Sequence, residues 1–169
     1  MTVRDVVIYP DARLKTVCAS MEAASLSRDV VAVLARDLLD TMSSFPGCVG
    51  IAAPQIGELV RMVAIDVTGA KRAVSCHGEL VLVDPVLVAS SGSVTMREGC
   101  LSIPDFTGNV RRAELVTVRA TTADGTPVEL ECDAYEARVL LHELDHLDGL
   151  LFLDRVSSAR EIFPRKRYQ

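Results

Sequence analysis

Apolar positions change their spacing along this chain, and the changes mark out its elements. Over residues 27–43, Val30, Val33, Leu34, Asp37, Leu38 and Thr41 recur at helical spacing, and Val31 and Leu39 widen the apolar face. Ser27 is placed to cap this helix, and Asp29 suits a first turn where the helix dipole favours negative charge. Pro46 and Gly47 end it. From Leu59 to Thr121 the pattern shortens to β-branched runs. Val60–Val67, Leu80–Ala89, Val94–Glu98 and Glu114–Thr122 read as strands, with Gly69, Gly78, Gly92 and Gly108 marking turns. Asp124-Gly125 folds the last of these back onto Pro127–Cys132 as a hairpin. Asp133 then caps a second helix over residues 134–147, with Glu136 at the third helical position as in a capping box. Gly149 ends that helix, and Pro164 argues against a long terminal helix in the polar, basic tail.

A helix, several strands and a second helix through the densest apolar sequence predict an α+β fold. Antiparallel strands pack around the second helix as its centre. At 169 residues the chain fits a single domain, residues 1–169, with length enough to bury a core. The net charge of −5 argues against a general nucleic-acid binder, so DNA is not an expected partner. No apolar stretch is long and charge-free enough to span a membrane, and the opening MTVRDVVIYP lacks the apolar core of a signal peptide. A cytoplasmic location is expected. Five cysteines, an odd number with no CxxC pair, read there as free thiols: Cys18, Cys48, Cys76, Cys100 and Cys132.

Candidate chemistry concentrates in His142-Glu143-Leu144-Asp145-His146, which holds two of the three histidines. Helical positions four apart lie about 40° from one another around the axis, one turn apart, so both imidazoles reach one divalent metal. Glu143 projects about 100° from His142, which places its carboxylate beside a water at the metal rather than on the metal. The surrounding run ARVLLHELDHLDGLLFL is apolar, and burying two histidines there without partners would be costly. The third ligand lies outside this motif. Phe152 stands where an HExxHxxGxxH pattern needs histidine, and the later Glu161 falls short of the distance expected of a thermolysin-like ligand. Upstream, Cys100 in Glu98-Gly99-Cys100-Leu101-Ser102 follows a strand and would complete a Cys-His-His set with a fourth position open to water. The small residues of the 47–57 segment allow close backbone approach, and the Gln55 amide there is a potential oxyanion donor. His77 reads as a solvated loop residue, and Cys18, Cys76 and Cys132 have no partners at ligand spacing.

These three segments together resemble the peptide deformylase family, whose motifs are written GxGLAAxQ, EGCLS and HExxH in this order. They stand here as Cys48 to Gln55, Glu98 to Ser102 and His142 to His146, and the likeness spans nearly the whole chain. The resemblance implies an amidohydrolase that removes the formyl group from the first methionine of new polypeptides. Cys100, His142 and His146 would hold the metal, Fe2+ in the cell, with Zn2+ or Ni2+ in a purified sample. Glu143 would be the general base, and Gln55 with the Leu101 backbone N–H would stabilise the oxyanion. Gly50 would offer backbone groups to a peptide bound like an added strand. Val49 and Val139 would line the methionine pocket, and Glu98 with Arg112 would support the site. The partner implied is an N-formylmethionyl peptide. The basic tail residues Arg160, Arg165, Lys166 and Arg167 would serve as a solubilising end or a transient contact to the ribosome. The chain departs from the family pattern at Cys48, Ile51, Thr107 and Leu141, none of which removes a ligand, the base or the oxyanion donor.

Overall fold

The computed structural model of the chain describes residues 2–22 and 24–165. Helix α1 (Arg28–Ser44) starts where the Ser27 side chain accepts a hydrogen bond from Val30 N. Its buried stripe is Val31, Leu34, Ala35, Leu38 and Met42, with Asp37 and Thr41, whereas Val30 and Val33 are exposed. The stripe is therefore rotated from the one that spacing alone assigns. Asp37 tolerates burial because Arg4 Nη1 meets its carboxylate at 2.9 Å.

Strands β1 (Gly50–Ala52), β2 (Met62–Ile65), β3 (Leu80–Ser91), β4 (Val94–Cys100), β5 (Ile103–Arg112), β6 (Leu115–Thr122) and β7 (Pro127–Asp133) lead into helix α2 (Ala134–Leu147). The short helix α3 (Phe152–Arg155) and strand β8 (Ile162–Pro164) follow. One antiparallel sheet runs β1-β2-β3-β6-β7 and a second runs β4-β5-β8. All four residues of β2 are buried, because successive side chains leave opposite faces of the strand. Met62 and Ala64 pack with Leu34 and Leu38 of α1, while Val63 and Ile65 pack with Ala137, Leu140 and Leu144 of α2. A strand covered on both sides reads as a continuous apolar run, which is how β2 appears in the sequence. Among the described residues no helix is long and apolar enough to cross a membrane.

Two expectations change, and the tail gains a strand that spacing did not mark. Gly108 lies in the middle of β5 instead of at a turn: a Cβ there would sit 2.9 Å from the Phe152 ring and 2.8 Å from Val156 Cγ1. Glycine in a strand marks such a close approach, and the polar sequence of β5 gives no alternation to reveal it. The capping box at α2 does not form. The chain enters the helix through Ala134 at φ 47°, and Asp133 makes no side-chain cap bond. Asp133 Oδ1 instead accepts from Ser75 N at 2.7 Å, and Glu136 accepts from Ser75 Oγ and His77 N at 2.5 and 2.8 Å. The tail, finally, adds strand β8 to β5, and Arg165 N continues the pairing onto Asp105 O at 2.8 Å. Lys166 and Arg167 lie outside the described residues.

Candidate metal centre

The β4–β5 hairpin presents one side of the site. Its register runs evenly from Val94↔Arg112 to Gly99↔Thr107 and then slips to Cys100↔Ile103, so Leu101 and Ser102 form a tight reversal beside the Cys100 thiol. Helix α2 presents the other side, with the His142 and His146 ring centroids 5.1 Å apart and nearly perpendicular. One donor atom from each of Cys100, His142 and His146 falls within 4.8 Å of the others, and Cys100 Sγ lies 3.3 Å from His146 Nε2. His142 Nδ1 is taken by Glu98 Oε2 at 2.9 Å, which leaves Nε2 for a ligand. Burial alone would raise the Cys100 thiol. The facing His146 and His142 rings outweigh that and hold it well below its ordinary value. A buried thiolate converging with two imidazoles is a donor set that fits a divalent transition metal.

Gln55 sits on a 3-10 turn over Ala53–Ile56 with Pro54 in its first turn. Its Oε1 accepts from Ala52 N at 2.9 Å, which turns Nε2 toward Cys100 Sγ at 3.3 Å and Ser102 Oγ at 3.2 Å. Glu143 is buried, and its Oε2 has no hydrogen-bond partner among the described residues. Burial pushes this carboxyl up to about 7, against the opposing pull of His142 and His146. Gly50 leaves room for it: a Cβ there would lie 2.6 Å from Glu143 Oε1 and 2.8 Å from Val139 Cγ1. A cavity of about 360 Å³ opens onto these groups, lined also by Cys48, Val49, Leu101, Tyr135, Val139, Arg97 and Arg165.

The family model of the polypeptide deformylases matches residues 3–161. The chain belongs to the polypeptide deformylase family. It is 37% identical over 167 residues to the peptide deformylase of Syntrophobacter fumaroxidans, an alignment covering 98% of this chain and 94% of that protein. The crystal structure of the Legionella pneumophila peptide deformylase superposes with a TM-score of 0.83 at 36% identity, covering 95% of this chain and 89% of the other. A class I type b peptide deformylase from Acinetobacter baumannii, bound to Met-Ala-Ser, superposes with a TM-score of 0.82 at 32% identity, covering 92% and 99%. Deformylases are metal-dependent enzymes whose reaction is removal of the formyl group, and the Cys100-His142-His146 group fits that class of centre.

Around this deformylase centre the structure adds residues that the sequence pattern does not flag. Arg112 grips Glu98 through Nε and Nη2 at 2.6 and 2.9 Å, the pair expected from the resemblance, and Nη1 reaches Asp145 Oδ2 at 2.8 Å. Arg138 Nη1 also meets Glu98 Oε1 at 2.5 Å, and Arg155 Nη2 meets Asp145 Oδ1 at 2.7 Å. Burial would raise the Glu98 carboxyl, but the bonds from His142 and Arg112 prevail and hold it down to about 2. The signal available in the sequence was charge on the buried face of an apolar helix, at Arg138 and Asp145. Of the departures from the family pattern, Thr107 accepts from Arg97 Nη1 at 3.2 Å, so a β4 guanidinium stands beside it. Cys48 Sγ lies 3.2 Å from Gly50 O at the cavity wall, and burial pushes its thiol up to about 11. The Leu141 carbonyl accepts from Arg112 Nη1 at 3.4 Å.

Proposed function

We propose that residues 1–169 act as one catalytic domain that removes the formyl group from the N-terminal methionine of newly made polypeptides, with Glu143 as the general base. The observation that carries this reading is the buried Glu143 carboxyl, whose Oε2 has no hydrogen-bond partner among the described residues, one residue from His142 and open to the same cavity. The peptide lies along the Gly50 backbone like an added strand, with its methionine side chain against Val49 and Val139. A divalent metal held by Cys100, His142 and His146 supplies Lewis acidity when bound, lowering the pKa of water and polarising the formyl carbonyl. Glu143 takes a proton from the attacking water and returns it to the amine nitrogen as the C–N bond breaks. The Gln55 Nε2 amide and the Leu101 backbone N–H donate to the oxyanion that develops on the formyl oxygen. Glu98 holds the His142 ring by its far nitrogen and so fixes which nitrogen faces the ligand site. The Acinetobacter relative binds Met-Ala-Ser, the peptide that formyl-Met-Ala-Ser becomes once its formyl group is gone.

Within this reading the cellular metal is Fe2+, with Zn2+ or Ni2+ able to replace it in a purified sample, and the enzyme works in the cytoplasm, its basic tail serving first as a solubilising end and secondarily as a transient contact to the ribosome. A thiolate beside an open ferrous site is vulnerable to oxygen, so the aerobic iron form should lose activity faster than the nickel or zinc forms. The direct test is formate release from formyl-Met-Ala-Ser by iron-reconstituted protein kept free of oxygen. Formate with a free amino terminus is the expected result; no release from metal-loaded protein would end the reading. Gly50→Ala provides a second check. Its methyl group would press on Glu143 Oε1 and Val139 Cγ1, and displacing a reacting group by about an ångström can lower the rate roughly 10²-fold. The metal content of that variant should be unchanged, because no ligand is touched.

A further inference from the structure

A second convergence of donor atoms lies at the start of α2, apart from the Cys100 centre. Cys132, the penultimate residue of β7, and Glu136, in the first turn of α2, both meet His77 from the loop before β3. His77 Nδ1 is 3.0 Å from Glu136 Oε2 and 3.9 Å from Cys132 Sγ. Glu136 is fully buried, Cys132 is buried, and the His77 side chain is 34% exposed, so the group is reachable from solvent. The backbone around it is held by Ser75, whose N–H donates to Asp133 and whose hydroxyl donates to Glu136.

A catalytic relay fits this cluster poorly. In a catalytic relay the carboxylate and the nucleophile use opposite nitrogens of the histidine ring, whereas here both face Nδ1. A His77–Glu136 ion pair accounts for the 3.0 Å contact, and the Cys132 thiol bonds to the same Glu136 carboxylate, so three ligand-type groups already meet one another within 4.8 Å. Convergence of sulfur, nitrogen and oxygen on one point is the pattern of a chelate. Zinc holds sulfur at about 2.3 Å and nitrogen or oxygen at about 2.0–2.2 Å, which puts tetrahedral donors roughly 3.3–3.6 Å apart. The observed separations bracket that range.

We propose that His77, Cys132 and Glu136 form a second metal site, of zinc-like preference, that ties the loop before β3 to the first turn of α2. A sulfur and an imidazole nitrogen beside one carboxylate suit zinc, whereas calcium and magnesium take oxygen ligands. The position gives the site a consequence for the cavity. Tyr135 and Val139 flank Glu136 on α2 and line the cavity wall, so fixing this turn fixes part of that wall.

The test is Zn2+ titration of the full chain, first stripped with a chelator, with bound metal counted by elemental analysis. One equivalent belongs to Cys100-His142-His146 and one to His77-Cys132-Glu136, so wild type should bind two. Cys132→Ser and, independently, His77→Ala should each bind one and keep formate release in the iron form; His77 is the more exposed residue and its removal disturbs the core less. Cys100→Ser should lose the other equivalent and, with it, formate release. The second equivalent should also raise the Tm of wild type and leave that of His77→Ala unmoved. A single equivalent in wild type that Cys100→Ser abolishes would overturn the proposal while leaving the deformylase reading intact. Two equivalents surviving His77→Ala and Cys132→Ser would overturn it equally.

Discussion

Glu143→Gln is expected to lower formate release by about 10²–10⁴-fold, the range over which a positioned proton acceptor acts. The change keeps the shape of the side chain and both proposed histidine ligands while removing the group proposed to take the proton. Metal content should therefore match wild type. Stability at neutral pH should not fall. Burial pushes the Glu143 carboxyl up to about 7, so its ionisation opposes folding once the pH rises past the ordinary carboxylate range. A neutral amide carries no such burden. The decisive measurements are kcat, bound metal and Tm on one preparation. Full activity in the variant would remove Glu143 from the mechanism.

Glu98→Ala should be the most destabilising single change at the site. It strips the Glu98 carboxylate from buried Arg138, from His142 Nδ1 and from buried Arg112, which keeps only Asp145 as an ion-pair partner. Removing one partner of a buried ion pair typically costs about 3–5 kcal/mol, because the remaining charge stays buried without compensation. Loss of a partner that orients a ligating histidine also weakens metal binding by roughly 10–100-fold. The pH dependence fixes the assignment. The Glu98 carboxyl is held down to about 2 from an ordinary 4.5. Its contribution is thus complete above the ordinary value and is lost as the pH falls through the lower one. Urea unfolding of wild type and variant should differ widely at neutral pH and converge in strong acid. Equal midpoints at neutral pH would show that the arginines find other partners.

What could be read in the sequence was what is local. Ser27 announces α1 by capping it, and His142 with His146 announces the metal helix, because residues four apart on a helix share a face. Cys100 joined them through its place in Glu98 to Ser102 and the family likeness, and the fold brings its sulfur within 3.3 Å of His146. The features that escaped are those whose cause lies far along the chain. The buried stripe of α1 is set by the strands beneath it, so Val30 and Val33 face solvent despite their spacing. Arg138 finds Glu98 forty residues upstream, and Cys132 finds His77 fifty-five residues upstream, distances at which no periodicity speaks. Glu136 misled for the opposite reason. It occupies the position of a capping residue, but a loop from elsewhere in the chain claims its carboxylate.

Glycine at position 50 also closes an evolutionary route. An inhibitor seated in the cavity would lie against Gly50, and adding a side chain there is the simplest way for a lineage to expel it. The space such a side chain needs is occupied by the Glu143 carboxylate and by Val139. A side chain at this position would displace the Glu143 carboxylate along with the inhibitor.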